Sequence, residues 1–243
     1  MSLPPAAPVH ETIHPALWRG SQLAGRPGRC VATGHPGLDA ELPGRGWPAG
    51  TLVDLLLAGP GIGEIRLLRP ALAALPPQRR IILLQPPLPP NIACWASWGL
   101  DPDQLLWVRP RRPADALWAA EQILKNGSCG ALLHWQAAVQ HASLRRLHLA
   151  AQSSDTLFFM LRPSAAAHAP SPAPLRLALE AAPGGVRVAV LKRRGPVCAQ
   201  PFVVPLAPER RPPLPVSPTR HATLDRPASA PPEPGRLAPA LAG

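Results

Sequence analysis

The chain has 243 residues, with 25 Lys and Arg against 14 Asp and Glu, a formal net charge of +11. Its 46% apolar content is enough for a packed core, but no run reaches the roughly 18 uncharged apolar residues of a membrane span. The N-terminus, MSLPPAAPVHETIHP, lacks the basic-then-apolar layout of a secretory leader. The expected compartment is therefore the cytoplasm. Cys30, Cys94, Cys129 and Cys198 lie far apart with no C-x-x-C pair, so neither a metal, a cofactor nor a disulfide framework is expected. The positive balance favours polyanions or acidic protein surfaces as partners. An arginine-rich composition bias accounts for it equally well.

Residues 1–30 read as a Pro/Gly-rich extension, in which Ala16-Leu17-Trp18 is a short apolar anchor. The stretch from Thr33 to Leu68 organises the rest of the chain. After a turn-rich lead-in come a buried strand (52–57), a glycine loop with Gly59, Gly61 and Gly63, and a helix starting near Glu64. Glycines there let backbone N–H groups converge, and a helix N-terminus adds partial positive charge, which together cradle phosphate. The residues that would do chemistry on a phosphate are missing. In the G-x-x-x-x-G-K-[ST] pattern, aligning on Gly63 puts Ala58 at the first glycine, Glu64 at the lysine and Ile65 at the hydroxyl. A carboxylate repels a triphosphate and isoleucine cannot ligate Mg²⁺. The phosphate loop is degenerate.

The helix over 65–75 contains Pro70, so it is expected to kink there or to begin after it. Ile81 to Leu84 is a continuous apolar run of the kind found in parallel strands buried on both faces. Residues 91–98 read as a helix stopped by Gly99, and 100–108 as the approach to the next strand and that strand itself. Trp95, Trp98 and Trp107 read as core or interface aromatics. Arg109, Arg111 and Arg112 follow at a strand's C-terminal end, where open α/β sheets bind ligands. A helix over 114–126, a strand over 130–135, a helix over 143–151 and a strand over 156–161 come next. Residues 162–174 read as a loop carrying Arg162 and His168. Residues 175–180 and 186–192 form a hairpin across Pro183-Gly184-Gly185, closing on Lys192, Arg193 and Arg194. Residues 202–206 suit a last edge strand. From 207 the chain is a Pro/Arg-rich tail expected to be disordered.

Thr33-Gly34, Leu38-Asp39, Leu42, Gly46, Pro48, Gly50 and Val53-Asp54 resemble the lead-in to the phosphate loop of RecA-type recombinases. His14-Pro15-Ala16-Leu17-Trp18-Arg19-Gly20 and Ala116-Leu117-Trp118-Ala119-Ala120-Glu121-Gln122 are similar to phrases of the ImuA family, RecA-like proteins of mutagenic translesion DNA synthesis. The resemblance spans about residues 15–205. It implies a RecA-like α/β core over 31–206, with a mostly parallel central sheet flanked by helices and a C-terminal β-hairpin. By the same resemblance, Gln85 stands where the catalytic base would be, and His134 where an ATPase strand ends in a metal-holding Asp. The loop of 162–174 takes the place of a DNA-binding loop, and Lys192 and Arg194 match residues that reach a neighbouring subunit's ATP.

Three lost ATPase positions point away from an enzyme. The resemblance implies a nonenzymatic adaptor in SOS-induced, error-prone translesion synthesis, with ImuB, an error-prone polymerase, RecA and single-stranded DNA as partners. Trp18, Arg109, Arg111, Arg112, Arg162, Lys192, Arg193 and Arg194 are the candidate contact residues. One alternative is a SulA-like cell-division inhibitor that binds FtsZ. Another is a nucleotide-binding ATPase in which Arg66 or Arg69 replaces the lysine.

Overall fold

A computed structural model describes residues 29–195 and 200–206. The Trp18 anchor and the tail from 207 lie outside them. In chain order the elements are β1 (Cys30–Val31), α1 (Pro36–Glu41), β2 (Trp47–Pro48), β3 (Thr51–Leu57), α2 (Glu64–Ala73), β4 (Arg80–Leu84), α3 (Ile92–Ser97), β5 (Leu105–Val108), α4 (Pro113–Asn126), β6 (Cys129–Trp135), α5 (His141–Ala151), β7 (Leu157–Pro163), β8 (Leu175–Ala182), β9 (Gly185–Lys192) and β10 (Phe202–Pro205). Short 3-10 turns cover Pro102–Gln104 and Ser164–His168.

Strands β3 to β10 make one eight-stranded sheet in the order β10-β9-β8-β3-β7-β6-β4-β5. From β8 to β5 every neighbouring pair is parallel; β8–β9 and β9–β10 are antiparallel. The expected mixed α/β class with a mostly parallel sheet is what the chain forms. Parallel strands need crossovers, which place helices on the faces and bury each strand on both sides. Leu52 to Leu57 are accordingly all buried.

Alternation along each strand splits the core into two layers. Val53, Leu55, Leu133, Phe159 and Leu177 face Leu38 of α1 and Leu67, Leu68, Ala71 and Leu72 of α2. Trp47 closes that layer edge-on against Phe159, with ring centroids 5.3 Å apart. Leu52, Ile82, Leu132 and Phe158 face Ala120 and Leu124 of α4 and Leu144, Leu147 and Ala151 of α5. Each fully buried Leu or Phe stabilises by about 1.5–3 kcal/mol through area removed from water. Helix α4 shows how sequence encodes the fit. Pro113 stands at its first turn, Ala116, Ala120 and Leu124 share the buried face, and Gly127 ends it at φ 67°.

Of the two outcomes expected at Pro70, a start beyond it does not occur. Helix α2 begins at Glu64 and runs past it to Ala73. The proline ring packs on Gly34, where a Cβ would lie only 2.2 Å from Pro70 Cβ. The segment expected as a loop from 162 is also more ordered: β7 continues to Pro163 before the 3-10 turn. The hairpin forms as read, with Ala182 opposite Gly185.

Candidate functional site

Strand β3 delivers the chain to the glycine loop at the C-terminal end of the parallel sheet. Gly61 (φ 74°) and Gly63 (φ 105°) are both in the left-handed region, which glycine enters without steric cost. The Gly61 N–H therefore turns inward, and it donates to Glu64 Oε1 at 3.2 Å. Glu64, the first residue of α2, is only 5% exposed. The carboxylate takes that N–H at the start of a helix, whose N-terminus favours an anion. A second negative charge held about 4 Å away would meet about 4 kcal/mol of repulsion at an effective dielectric of about 20. Apolar side chains close over the other flank, for a Cβ on Gly63 would lie 3.0 Å from both Val186 and Leu206. Ile65 packs against the apolar core.

Arg66 and Arg69, the residues offered as replacements for the lysine, lie on α2 beyond the loop. With His35, Pro70, Phe202 and Leu206 they line a cavity of about 330 Å³ whose walls include none of the loop glycines. His35 Nε2 lies 3.1 Å from the Leu67 carbonyl there, and burial pushes its pKa down.

Gln85 follows β4 with φ 53°, and its N–H donates to the Val108 carbonyl at 3.0 Å. His134 is fully buried within β6, beside Leu84 and Met160 of the adjacent strands. Burial lowers its pKa to about 4, with Gln136 acting in the opposite direction. Neither ring nitrogen, nor Gln136 Oε1, completes a hydrogen bond. No group of three or more His, Cys, Asp or Glu side chains able to hold a metal occurs among the described residues.

No family model and no curated protein matches this chain. Among solved structures, the crystal structure of SulA from Pseudomonas aeruginosa is similar at a TM-score of 0.40 and 22% identity, over 48% of this chain and 99% of that one. A likeness that slight carries no argument about activity or partners. Among the described residues no helix is long and apolar enough to cross a membrane.

The basic residues divide into three groups. Arg109 and Arg111 are exposed just after β5, and the Arg109 guanidinium lies 5.2 Å from the centre of the Trp107 ring. Arg112 is held by its neighbour Asp115 at 2.8 and 2.9 Å. At the other cluster, Lys192 donates to the Ser171 carbonyl at 3.1 Å, Arg193 pairs with Glu41 at 3.5 Å, and Arg194 is exposed. Burial first, then Arg194 and Lys192, press the pKa of His148 down.

These two clusters do not converge. Strands β9 and β5 are six steps apart in the sheet, roughly 29 Å at the usual spacing. Because β9 runs antiparallel to β8, Lys192 also lies opposite Arg176, towards the N-terminal ends of the parallel strands. Arg109 follows their C-terminal ends.

Arg162 is a correction. Expected on a Pro/Ala-rich loop as a contact residue, it is 2% exposed and forks onto Asp54 through Nε at 2.9 Å and Nη2 at 2.6 Å. Arg176 adds a contact to the same carboxylate at 3.0 Å and donates to the carbonyls of Ala166 and Ala167. Arg162 is therefore turned into the protein, where it cannot meet a DNA phosphate. Of Trp95, Trp98 and Trp107, the first is buried, the second half-buried and the third exposed.

Proposed function

We propose that the chain is a RecA-like accessory protein without ATPase activity, serving as an adaptor in SOS-induced, error-prone translesion DNA synthesis. The observation that supports this is the glycine loop occupied by its own Glu64 carboxylate. A loop that satisfies its anion site internally has no use for a nucleotide. The fold then contributes surfaces rather than turnover. In this reading ImuB and an error-prone polymerase are the partners, with RecA or single-stranded DNA met through Arg109, Arg111 and Arg194. These partner names rest on the resemblance of the lead-in and of the 116–122 phrase, and the exposed arginines supply the charge.

The deciding experiment is ATP binding and hydrolysis by the purified full chain, with and without single-stranded DNA and RecA, followed by pull-downs against ImuB, RecA and FtsZ. Silence in both nucleotide assays with capture of ImuB supports the adaptor. Turnover that rises with DNA overturns the loop reading. Capture of FtsZ in place of ImuB replaces the adaptor with a division inhibitor.

A further inference from the structure

Strand β5 is the outer edge of the parallel side of the sheet. Its one described strand partner is β4. Its four residues, Leu105 to Val108, are all apolar. Leu106 and Trp107 are 47% and 39% exposed. An edge strand normally guards its unpaired N–H and C=O groups with a charge, a proline or a bulge. None lies within β5, and the charges stand just outside it. Asp101 and Asp103 precede the strand on the 3-10 turn, and Arg109 and Arg111 follow it. All four are exposed, and none of their side chains forms an ion pair among the described residues.

We infer that this edge pairs antiparallel with the same edge of a second copy of the chain, joining two sheets across a two-fold axis. The charge order selects that occupant. With acids at the start of the strand and arginines at its end, an antiparallel copy brings each Asp pair to the other copy's Arg pair. A parallel copy would set like charge on like charge. Backbone geometry narrows the register further. Outward-pointing amides on one strand alternate, so two identical edges can exchange hydrogen bonds only when paired residue numbers share parity. A two-fold axis through Leu106 meets this condition. It sets Leu105 opposite Trp107, and places Asp103 opposite Arg109 and Asp101 opposite Arg111 along the line of the strand.

Directly opposed apolar and opposite-charge pairs are what stabilise a strand pair. Isologous two-fold contacts are also the commonest symmetric assembly. The stacking of Arg109 on Trp107 already holds the arginine beside the seam. Arg80 donates to the Asp103 carbonyl and so fixes the acidic turn. The pairing does not depend on the adaptor reading, since it asks nothing of nucleotide, DNA or ImuB.

The test is sedimentation velocity on the full chain and on two charge-reversed variants, Asp103→Arg and Arg109→Asp. Circular dichroism melts confirm that each is folded. The wild type should sediment as a dimer. Each variant alone now opposes like charges and should dissociate at least about tenfold more readily, a loss of about 1.4 kcal/mol. An equimolar mixture restores opposite charges at both ends and should return a heterodimer. A monomeric wild type overturns the inference. So does a dimer indifferent to both reversals, or two monomeric variants that fail to pair on mixing.

Discussion

Gly61 and Glu64 close the loop after β3 upon itself: the N–H of one meets the carboxylate of the other at 3.2 Å. The interaction uses the donor that a phosphate would need. Replacing Glu64 with Lys and Ile65 with Thr restores the lysine and the hydroxyl of the pattern, though not its first glycine, without restoring an engine. In the proposed RecA-like reading Gln85 still stands at the base position, and His134 is still buried in apolar surroundings. The double variant should show no ATP turnover above background in a coupled phosphate-release assay. Measurable turnover would mean that another acid orients the water and the metal.

His134 makes stability depend on pH. Its folded pKa of about 4 lies below the ordinary value near 6.5, so between these limits the unfolded chain binds the extra proton. Stability therefore rises with pH through that window and falls as the solution is acidified. The full difference is about 3 kcal/mol. Urea titrations from pH 7 to pH 4 should show the decline, and His134→Leu should flatten it. At pH 7 that variant should fold at least as well, since two unpartnered nitrogens leave the core. A slope unchanged in His134→Leu would assign the acid sensitivity to other groups, His35 and His148 among them.

Asp54 balances two buried guanidiniums. Removing the acid strands both guanidiniums in the interior, and breaking a buried pair typically costs about 3–5 kcal/mol. Asp54→Asn should therefore lower the urea midpoint sharply. Arg162→Ala, which leaves Asp54 paired with Arg176, should lower it less, with no loss of DNA affinity beyond what unfolding explains. DNA binding lost by a folded, fully stable Arg162→Ala protein would return that arginine to the surface.

Arg111 and Arg194 lie on clusters too far apart to grip one phosphate. If each contacts single-stranded DNA, each Ala substitution should reduce the slope of log K against log salt by about 0.7. The two losses should add. A slope untouched by either substitution removes that arginine from the DNA path.

Much of this fold could be read directly. The strand, glycine loop and helix from Thr51 to Ala73 announce themselves because apolar runs, glycines and helical spacing are local signals. The hairpin at Pro183-Gly184 is local in the same way. The Asp54–Arg162 pair was hidden because its members are 108 residues apart. An arginine at the end of an apolar run, just before a Pro/Ala-rich segment, looks like a solvent-facing basic residue until the acid across the sheet is seen. Sheet order was equally out of reach. Leu105 to Val108 and Ile81 to Leu84 look alike as strings, yet one run is an exposed edge and the other lies inside the sheet. Pro70 misled for a related reason, since its partner Gly34 precedes it by more than a whole strand.

The carboxylate of Asp54 also acts as a key for strand alignment. It belongs to β3, which lies between β7 and β8 near the middle of the sheet, and each neighbour supplies one arginine to it. Side chains alternate faces along a strand, so sliding β3 by one residue would swing Asp54 into the layer of Leu38, Trp47 and Leu67. Both guanidiniums would be left behind on the other face. Leu52 to Leu57 are so uniformly apolar that hydrophobicity alone could tolerate the slip. One acid among leucines makes the wrong threading of the central strand the expensive one.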